Sequence, residues 1–229
     1  MDMKRENDPI EIYRVLYGEY GARGWWPLIR PGGSEPEYFV DVEGDRHRFE
    51  IAVGAVLTQN TAWSNASRAV AELSRTGNLS PPRLIELDHR ELAGIIRSSG
   101  YYNMKARKLK ELARFFAGNI RVTRKALLSV HGIGPETADS ILLYAFSNPV
   151  FVVDAYTRRI FSRVGVLDES LPYAEVRKYF ENNLPADPEL YGEYHALIVE
   201  HAKKFCRKSP LCAGCPLEEL CSFPSRLSE

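Results

Sequence analysis

Apolar residues recur every three or four positions along most of this chain, the spacing that places them on one face of a helix. Alternating strand patterns are nearly absent, so the sequence predicts an all-α fold. Asp88 precedes one helix, Gly100 and Gly118 follow others, and Pro81-Pro82 opens a short one. The longer predicted helices span residues 10–20, 49–63, 65–75, 90–97, 104–117, 135–146, 155–164, 173–183 and 188–205.

The longest stretch without helical periodicity covers residues 21–47 and contains the adjacent tryptophans Trp25 and Trp26. Loops of this length are uncommon in compact domains and are usually functional or disordered. Two neighbouring indole rings argue against disorder, because such rings bury a large apolar area when the chain folds. The sequence leaves two interpretations open: the rings anchor the loop, or they line a binding pocket.

The composition is that of a globular protein. The chain has 229 residues, of which 45% are hydrophobic, enough to bury a core in one domain or two small ones. No apolar run approaches the length of a membrane span, and the first residues lack the apolar segment of a secretion signal. We therefore expect a cytoplasmic protein without a membrane partner.

Basic and acidic side chains number 30 each, but they are unevenly distributed. Between Arg97 and Lys125, here called the basic segment, nine Lys or Arg residues face the single acidic residue Glu111. Such a segment can attract phosphates, or it can be a solvated helix face. Its position directly before the next motif favours a nucleic acid as the partner.

That motif is the turn His131-Gly132-Ile133-Gly134 between two predicted helices, the second of which opens at Pro135. Glycines permit positive φ and let backbone N–H groups approach a ligand closely. The N-terminal end of a helix attracts anions, and proline suits its first position. The turn therefore predicts a phosphate site, although a Gly-x-Gly turn alone often only joins two helices.

Asp154 lies 20 residues after Gly134, between a short apolar run and another predicted helix. An aspartate in this position is most often a helix N-cap. A capping carboxylate stays ionised and fixed, which also suits it to stabilise a developing positive charge. The two roles are compatible.

The four cysteines lie within sixteen residues, with the spacing C-x5-C-x2-C-x5-C. Without a secretion signal, metal binding by thiolates is a better interpretation than disulfides. Structural zinc and a [4Fe-4S] cluster both take four thiolates, and the single C-x2-C pair weakens the zinc interpretation. The candidate ligands are Cys206, Cys212, Cys215 and Cys221.

Together these features resemble the helix-hairpin-helix (HhH-GPD) DNA glycosylase superfamily, in particular its endonuclease III-like members with an iron–sulfur cluster. The hairpin and Asp154 carry the resemblance, joined by Gly-Ala-Val-Leu-Thr-Gln-Asn-Thr at 54–61 and Gly-Tyr-Tyr-Asn-Met-Lys-Ala at 100–106. It covers residues 48–221. It implies two helical lobes: a six-helix barrel with the hairpin over residues 30–146, and a terminal lobe of residues 1–29 and 147–229 that holds the cluster.

The resemblance also implies roles for single residues. Gln59 enters the DNA duplex at the extruded base, and the hairpin residues His131, Gly132 and Gly134 contact DNA. Asp154 is the catalytic carboxylate, and the four cysteines hold a [4Fe-4S] cluster, although the first cysteine spacing here is five residues instead of the family's usual six. The implied partner is double-stranded DNA with a damaged base, bound by a monomer in the nucleoid of a prokaryote.

Position 136 departs from the bifunctional members of this family, whose hairpin continues with a lysine that forms a Schiff base with the sugar. Here the residue is Glu136, which cannot form an imine. The sequence therefore predicts a monofunctional glycosylase that uses water, without AP-lyase activity.

The segments Trp25-Trp26-Pro27 and Arg48-Phe49-Glu50 resemble the 3-methyladenine DNA glycosylase branch. In that branch the aromatics matching Trp25 and Phe49 sandwich an alkylated purine, whose positive charge favours electron-rich rings. Two other functions stay open. One is excision of oxidised or mismatched pyrimidines, as in endonuclease III. The other is a non-catalytic DNA-binding iron–sulfur protein, which would need no carboxylate at Asp154.

Overall fold

A computed structural model of the protein describes residues 8–118 and 120–223. The described chain is mostly helical, and its regular structure includes only two short strands, which confirms the predicted fold class. The α-helices are α1 (Pro9–Tyr20), α2 (Gly44–Leu57), α3 (Trp63–Arg75), α4 (Pro81–Glu86), α5 (His89–Ile95), α6 (Tyr102–Ala117), α7 (Arg124–Leu128), α8 (Pro135–Phe146), α9 (Ala155–Val164), α10 (Tyr173–Asn183) and α11 (Pro188–Lys204). Arg97–Ser99 and Glu218–Leu220 form 3-10 turns.

Within the long irregular stretch, β1 (Leu28–Ile29) pairs antiparallel with β2 (Pro36–Glu37). Two-residue strands leave no alternation to detect, so the sequence did not predict them. None of the described helices is long and apolar enough to cross a membrane.

The chain divides into two compact units. The central unit comprises residues 24–118 and 120–148, and the terminal unit comprises residues 8–23 and 149–223 as far as they are described. The predicted division placed residues 24–29, and hence both adjacent tryptophans, in the terminal lobe, whereas the structure places them in the central unit. The ends of the predicted terminal lobe, residues 1–7 and 224–229, lie outside the described residues.

Helix α2 is the core of the central unit and packs against α3, α6 and α8. Every residue from Phe49 to Leu57 is buried, so α2 is enclosed on all sides. The helix ends earlier than predicted. The Thr58 hydroxyl donates to the Gly54 carbonyl at 2.6 Å, and Asn60 takes a left-handed φ of 55°. This break leaves the side chain of Gln59 beyond the end of the helix.

The terminal unit is built from both ends of the chain, with α1 packed on α11 and α11 on α9. Its core is aromatic: the rings of Phe151 and Phe180 stack with centroids 4.0 Å apart. The buried hydroxyl of Tyr194 donates to the Pro9 carbonyl at 2.6 Å, which ties the N-terminal helix to α11. The unit is discontinuous in sequence, but these contacts join its two segments in one core.

One charged group in the core predicts a pH-dependent stability. Glu50 is 1% exposed, and burial raises the pKa of its carboxyl to about 7, although a hydrogen bond from the Ile29 N–H (2.7 Å) opposes the rise. Below pH 4.5 the carboxyl is protonated in both the folded and the unfolded chain. Between pH 4.5 and about 7 the unfolded chain loses this proton and the folded chain keeps it, so the free energy of unfolding falls.

We therefore expect Glu50→Gln to stabilise the protein above neutral pH, by up to about 3 kcal/mol, because the amide accepts the same hydrogen bond without the cost of a buried charge. Chemical denaturation of both proteins from pH 5 to pH 8 measures the difference. A stability gap that does not widen with pH would contradict this assignment.

Candidate functional site

The hairpin of the central unit consists of α7, the turn at residues 131–134 and α8. Gly132 has a φ of 88°, in the left-handed region, and a Cβ there would lie 2.4 Å from Cγ of Lys108. Gly134 is different: its backbone is extended, and it has open space beside it. Of the two positions, only 132 therefore requires a glycine for its backbone conformation. His131 and Gly134 are exposed, so the turn presents backbone at the N-terminal end of α8.

Gln59 is bound to this hairpin. Its Nε2 donates to the Gly132 carbonyl at 3.1 Å and to Thr137 Oγ1 at 2.9 Å, while its Oε1 accepts from Lys108 Nζ at 2.5 Å. The structure thus joins two groups that the sequence separates by more than 70 residues. It also adds Lys108, which sequence reasoning counted only as one cation of the basic segment.

Several cations of the basic segment bind groups of the protein itself. Lys105 is 2% exposed and donates to the carbonyls of Leu57 (2.8 Å) and Ser99 (2.6 Å). Arg124 holds the fully buried Asp139 with two hydrogen bonds of 2.7 and 3.2 Å. The surface charge beside the hairpin is therefore smaller than the sequence suggests. The exposed cations of the segment are Arg97, Arg107, Arg114, Arg121 and Lys125.

The adjacent tryptophans belong to an aromatic cluster, defined here as Trp25, Trp26, Tyr38, Trp63 and Tyr144. Ring centroids in this cluster lie 4.9–6.0 Å apart, mostly edge to face. Trp26 lies so close to Gly54 of α2 that a Cβ there would be 2.9 Å from the indole ring. The indole N–H of Trp25 is buried and has no hydrogen-bond partner within the described chain.

Phe49 lies elsewhere on α2. It is 2% exposed, and its ring meets Phe116 with centroids 5.4 Å apart. Beside it is an open cavity of about 1110 Å³, rimmed by Arg46, Arg48 and Arg121. Phe49 and Gly54 are five positions apart and so face different sides of the helix. The structure brings Trp25 and Trp26 together but does not bring Phe49 into ring contact with them, and the predicted sandwich stays a prediction.

In the terminal unit, Asp154 is the N-cap of α9. Its Oδ1 accepts from the Thr157 N–H at 2.7 Å and from the Thr157 hydroxyl at 2.9 Å. Its Oδ2 lies 3.6 Å from Nε2 of His195 on α11, and both side chains are 12% exposed. Burial alone raises the pKa of Asp154, but His195 and the Thr157 hydrogen bonds outweigh it, so the pKa lies below its usual value. The carboxyl is therefore ionised at neutral pH.

His195 was missed by sequence reasoning. It is 41 residues from Asp154, and a histidine in an amphipathic helix has no local signal that separates a partner of a carboxylate from a core side chain.

The four cysteines line one small cavity in the terminal unit. Arg163 donates to Cys206 Sγ at 3.3 Å and to the Lys208 carbonyl at 2.9 Å, so α9 holds the cysteine loop through one guanidinium. His201 Nε2 lies 3.6 Å from Cys215 Sγ. Burial raises the pKa of Cys215 to about 11, and the neighbouring thiols add to this. Metal binding would be needed to ionise the Cys215 thiol at neutral pH.

The four cysteines are the candidate metal ligands of the terminal unit. Among residues 8–118 and 120–223, no three His, Cys, Asp or Glu side chains are grouped so that they could hold a metal ion. All four thiols nevertheless border the same cavity. Four thiolates are the donor set of both structural zinc and a [4Fe-4S] cluster.

Residues 53–186 match the family described as HhH-GPD superfamily base excision DNA repair protein. A provisionally named DNA repair glycosylase of Methanocaldococcus jannaschii is 44% identical over 92% of this chain and 94% of its own length. A solved complex of endonuclease III with DNA superposes with a TM-score of 0.80 at 22% identity, covering 99% of this chain and all of that one. The Helicobacter pylori 3-methyladenine DNA glycosylase bound to 1,N6-ethenoadenine gives a TM-score of 0.68 at 28% identity, covering 86% and 98%.

The family match includes Gln59, the hairpin and Asp154, and it covers more than half of the chain. The protein therefore belongs to the HhH-GPD superfamily of base excision repair DNA glycosylases.

Proposed function

We propose that the protein is a monofunctional DNA N-glycosylase that hydrolyses the N-glycosidic bond of an alkylated purine of the 3-methyladenine type. The observation that carries the proposal is Asp154: a shielded carboxylate, held ionised by Thr157 and His195, in a chain of the HhH-GPD superfamily. Cleavage of an N-glycosidic bond develops positive charge on the sugar, as glycoside hydrolysis does. A fixed carboxylate stabilises that charge and can orient the attacking water.

The central unit supplies the proposed contacts to DNA. The exposed turn at residues 131–134 offers N–H groups at a helix N-terminus, which suits a phosphate. Gln59 is held at the hairpin by three hydrogen bonds, and we propose that it enters the duplex where the damaged nucleotide leaves the stack. The partner is double-stranded DNA, bound by a monomer. The superposed complex with DNA and the one with a modified base support a nucleic acid as the partner.

We propose that water is the nucleophile because the hairpin offers a carboxylate where a lyase needs an amine. Glu136 is exposed in the first turn of α8, where its charge is favourable. Incubation of lesion DNA with the protein and borohydride is expected to trap no covalent complex, and strand breaks are expected only after alkali. Denaturing gels measure both.

The trapping experiment can also contradict the proposal of a monofunctional enzyme. Trapping by the wild-type protein would return the bifunctional interpretation. Its loss in Lys108→Met would identify Lys108 as the amine, since Lys108 Nζ donates to Gln59 and its side chain lies against Gly132 of the hairpin turn. Glu136→Lys serves as the positive control for an amine in the hairpin.

The aromatic cluster supports an alkylated purine as the substrate. A methylated purine carries positive charge and binds best to electron-rich ring faces, whereas the cavity beside Phe49 has three arginines against one aspartate, Asp45, and offers a cation no net attraction. The similarity to the H. pylori 3-methyladenine DNA glycosylase supports the same substrate class. Excision rates on duplexes with one 3-methyladenine, uracil, thymine glycol or mismatched thymine test the choice. Preference for a pyrimidine lesion would favour an endonuclease III-like activity instead.

Two variants test whether Trp25 and Phe49 contact the damaged base or only stabilise the fold. Trp25→Ala is expected to slow alkylpurine excision by roughly ten- to a hundredfold without unfolding the protein, because it removes a stacking face. Phe49→Leu keeps apolar volume, so slower excision without destabilisation would place Phe49 in the pocket, and a lower melting temperature alone would place it in the core. Tyr17→Ala, an exposed aromatic on α1, is the control.

We also propose that Cys206, Cys212, Cys215 and Cys221 hold a [4Fe-4S] cluster, supported by the donor set and its shared cavity. When bound, the cluster would link the loop after α11 through four metal–thiolate bonds. Arg159 and Arg163 anchor the same loop from α9, since Arg159 Nε donates to the Cys206 carbonyl at 2.8 Å.

A further inference from the structure

His195 lies beside the proposed catalytic carboxylate. It is carried by α11, which packs against α9, and Asp154 caps the start of α9. Its Nε2 is 3.6 Å from Asp154 Oδ2, the distance of an ion pair rather than of a short hydrogen bond. With both side chains only 12% exposed, solvent screens this contact weakly.

The two carboxylate oxygens of Asp154 have different partners. Oδ1 accepts two hydrogen bonds from Thr157, at 2.7 and 2.9 Å, and is used by the helix cap. Oδ2 instead faces Nε2 of His195. Thr157 alone fixes one oxygen, but the carboxylate plane can still turn about the bond from Cβ to Cγ. A second contact at Oδ2 removes that freedom.

We propose that His195 is a positioning residue for the glycosidic reaction, which fixes the orientation of the Asp154 carboxylate through Oδ2 while Thr157 holds Oδ1. This inference rests on the proposed function, because it assigns the orientation of Asp154 a role in base release. It involves no proton transfer by His195. Electrostatic stabilisation depends on a group that is already oriented before the reaction, so a carboxylate free to rotate would act less well on the developing cation.

Single-turnover base release from lesion duplexes tests the role. His195→Leu, similar in volume, is expected to lower the rate by roughly tenfold to thirtyfold while lesion-DNA affinity and melting temperature change little. His195→Gln, which keeps an N–H donor, is expected to recover most of the rate. In an Asp154→Asn background, His195→Leu is expected to lower the residual rate no further. His89→Leu on α5 is the matched control.

A second readout is independent of activity. Burial raises the pKa of Asp154, and the side-chain contact with His195 lowers it most, with Thr157 adding hydrogen bonds that lower it further. Carbon NMR of labelled aspartate carboxyls should therefore show Asp154 titrating at higher pH in His195→Leu than in wild type.

The combined results separate the two claims. An unchanged turnover rate in His195→Leu, or an equal loss in the Asp154→Asn background, would overturn the positioning role. An unchanged Asp154 titration would overturn the contact itself. Should the wild-type protein release no base while the titration still shifts, the proposed function fails and the positioning role in base release fails with it, but the contact between His195 and the carboxylate stands.

Discussion

Asp154→Asn is expected to lower the single-turnover rate of base release by roughly a hundred- to a thousandfold while leaving affinity for lesion DNA nearly unchanged. The amide retains the size of the carboxylate, and its oxygen can still accept the Thr157 hydrogen bonds that cap α9. The variant loses only the negative charge that stabilises the developing cation. Rapid-quench kinetics give the rate, and fluorescence anisotropy gives the affinity.

Asp168→Asn is the matched control for this variant. Asp168 is an exposed turn aspartate of the same unit, whose Oδ1 accepts from the Ser170 N–H at 2.8 Å. Its substitution should leave the rate of base release unchanged. A rate near that of wild type in Asp154→Asn would remove Asp154 from the reaction.

Cys215→Ser is expected to produce the second large effect, on the terminal unit rather than on a single chemical step. Wild-type protein should contain about four irons per chain and absorb visible light, whereas the variant should lose both properties. Because metal binding is coupled to folding, its loss should cost several kcal/mol and lower the melting temperature by roughly 10 °C. Iron analysis, absorbance and calorimetry measure these changes.

Ser209→Ala, an exposed substitution in the same loop, controls for changes to the loop itself. One zinc per chain, in protein made under iron-replete and anaerobic conditions, would overturn the cluster. Full iron content with unchanged melting in Cys215→Ser would remove Cys215 from the ligand set.

The helices could be predicted because each carries its own periodic pattern and boundary residues. The limits of α8 match the predicted range, since Pro135 fixes its start and its apolar positions continue to Phe146. The start of α2 was predicted less accurately, at residue 49 instead of Gly44. Its first turn, from Gly44, is polar and exposed, so it lacks an apolar stripe, and packing of the rest of α2 in the core stabilises it.

The separate parts of the site were visible in the sequence, but the contacts among them were not. The resemblance identified Asp154, and nothing local linked it to His195 on another helix. In the same way Lys108 appeared as one cation among nine, although it binds Gln59 across 49 residues. Contacts of this kind arise from helix packing, which a single sequence does not encode in any one segment.

For the basic segment, the sequence overestimated a property. Counting Lys and Arg residues suggested more surface charge beside the hairpin than the structure has. Lys105 and Arg124 satisfy buried carbonyls and a buried carboxylate of the central unit. The sequence alone does not distinguish a Lys or Arg that attracts DNA from one that stabilises a core. Burial distinguishes the two, and burial depends on the tertiary fold.

The central claim is that this chain releases a damaged base from DNA by hydrolysis. The most direct measurement follows one single-turnover reaction on a duplex with a single 3-methyladenine, by chromatography for the free base and by denaturing gel for the strand. Equal amounts of free base and abasic sites are expected, with the strand unbroken until alkali is added. Tight binding without release of a base, from this duplex and from the pyrimidine lesions alike, would contradict it.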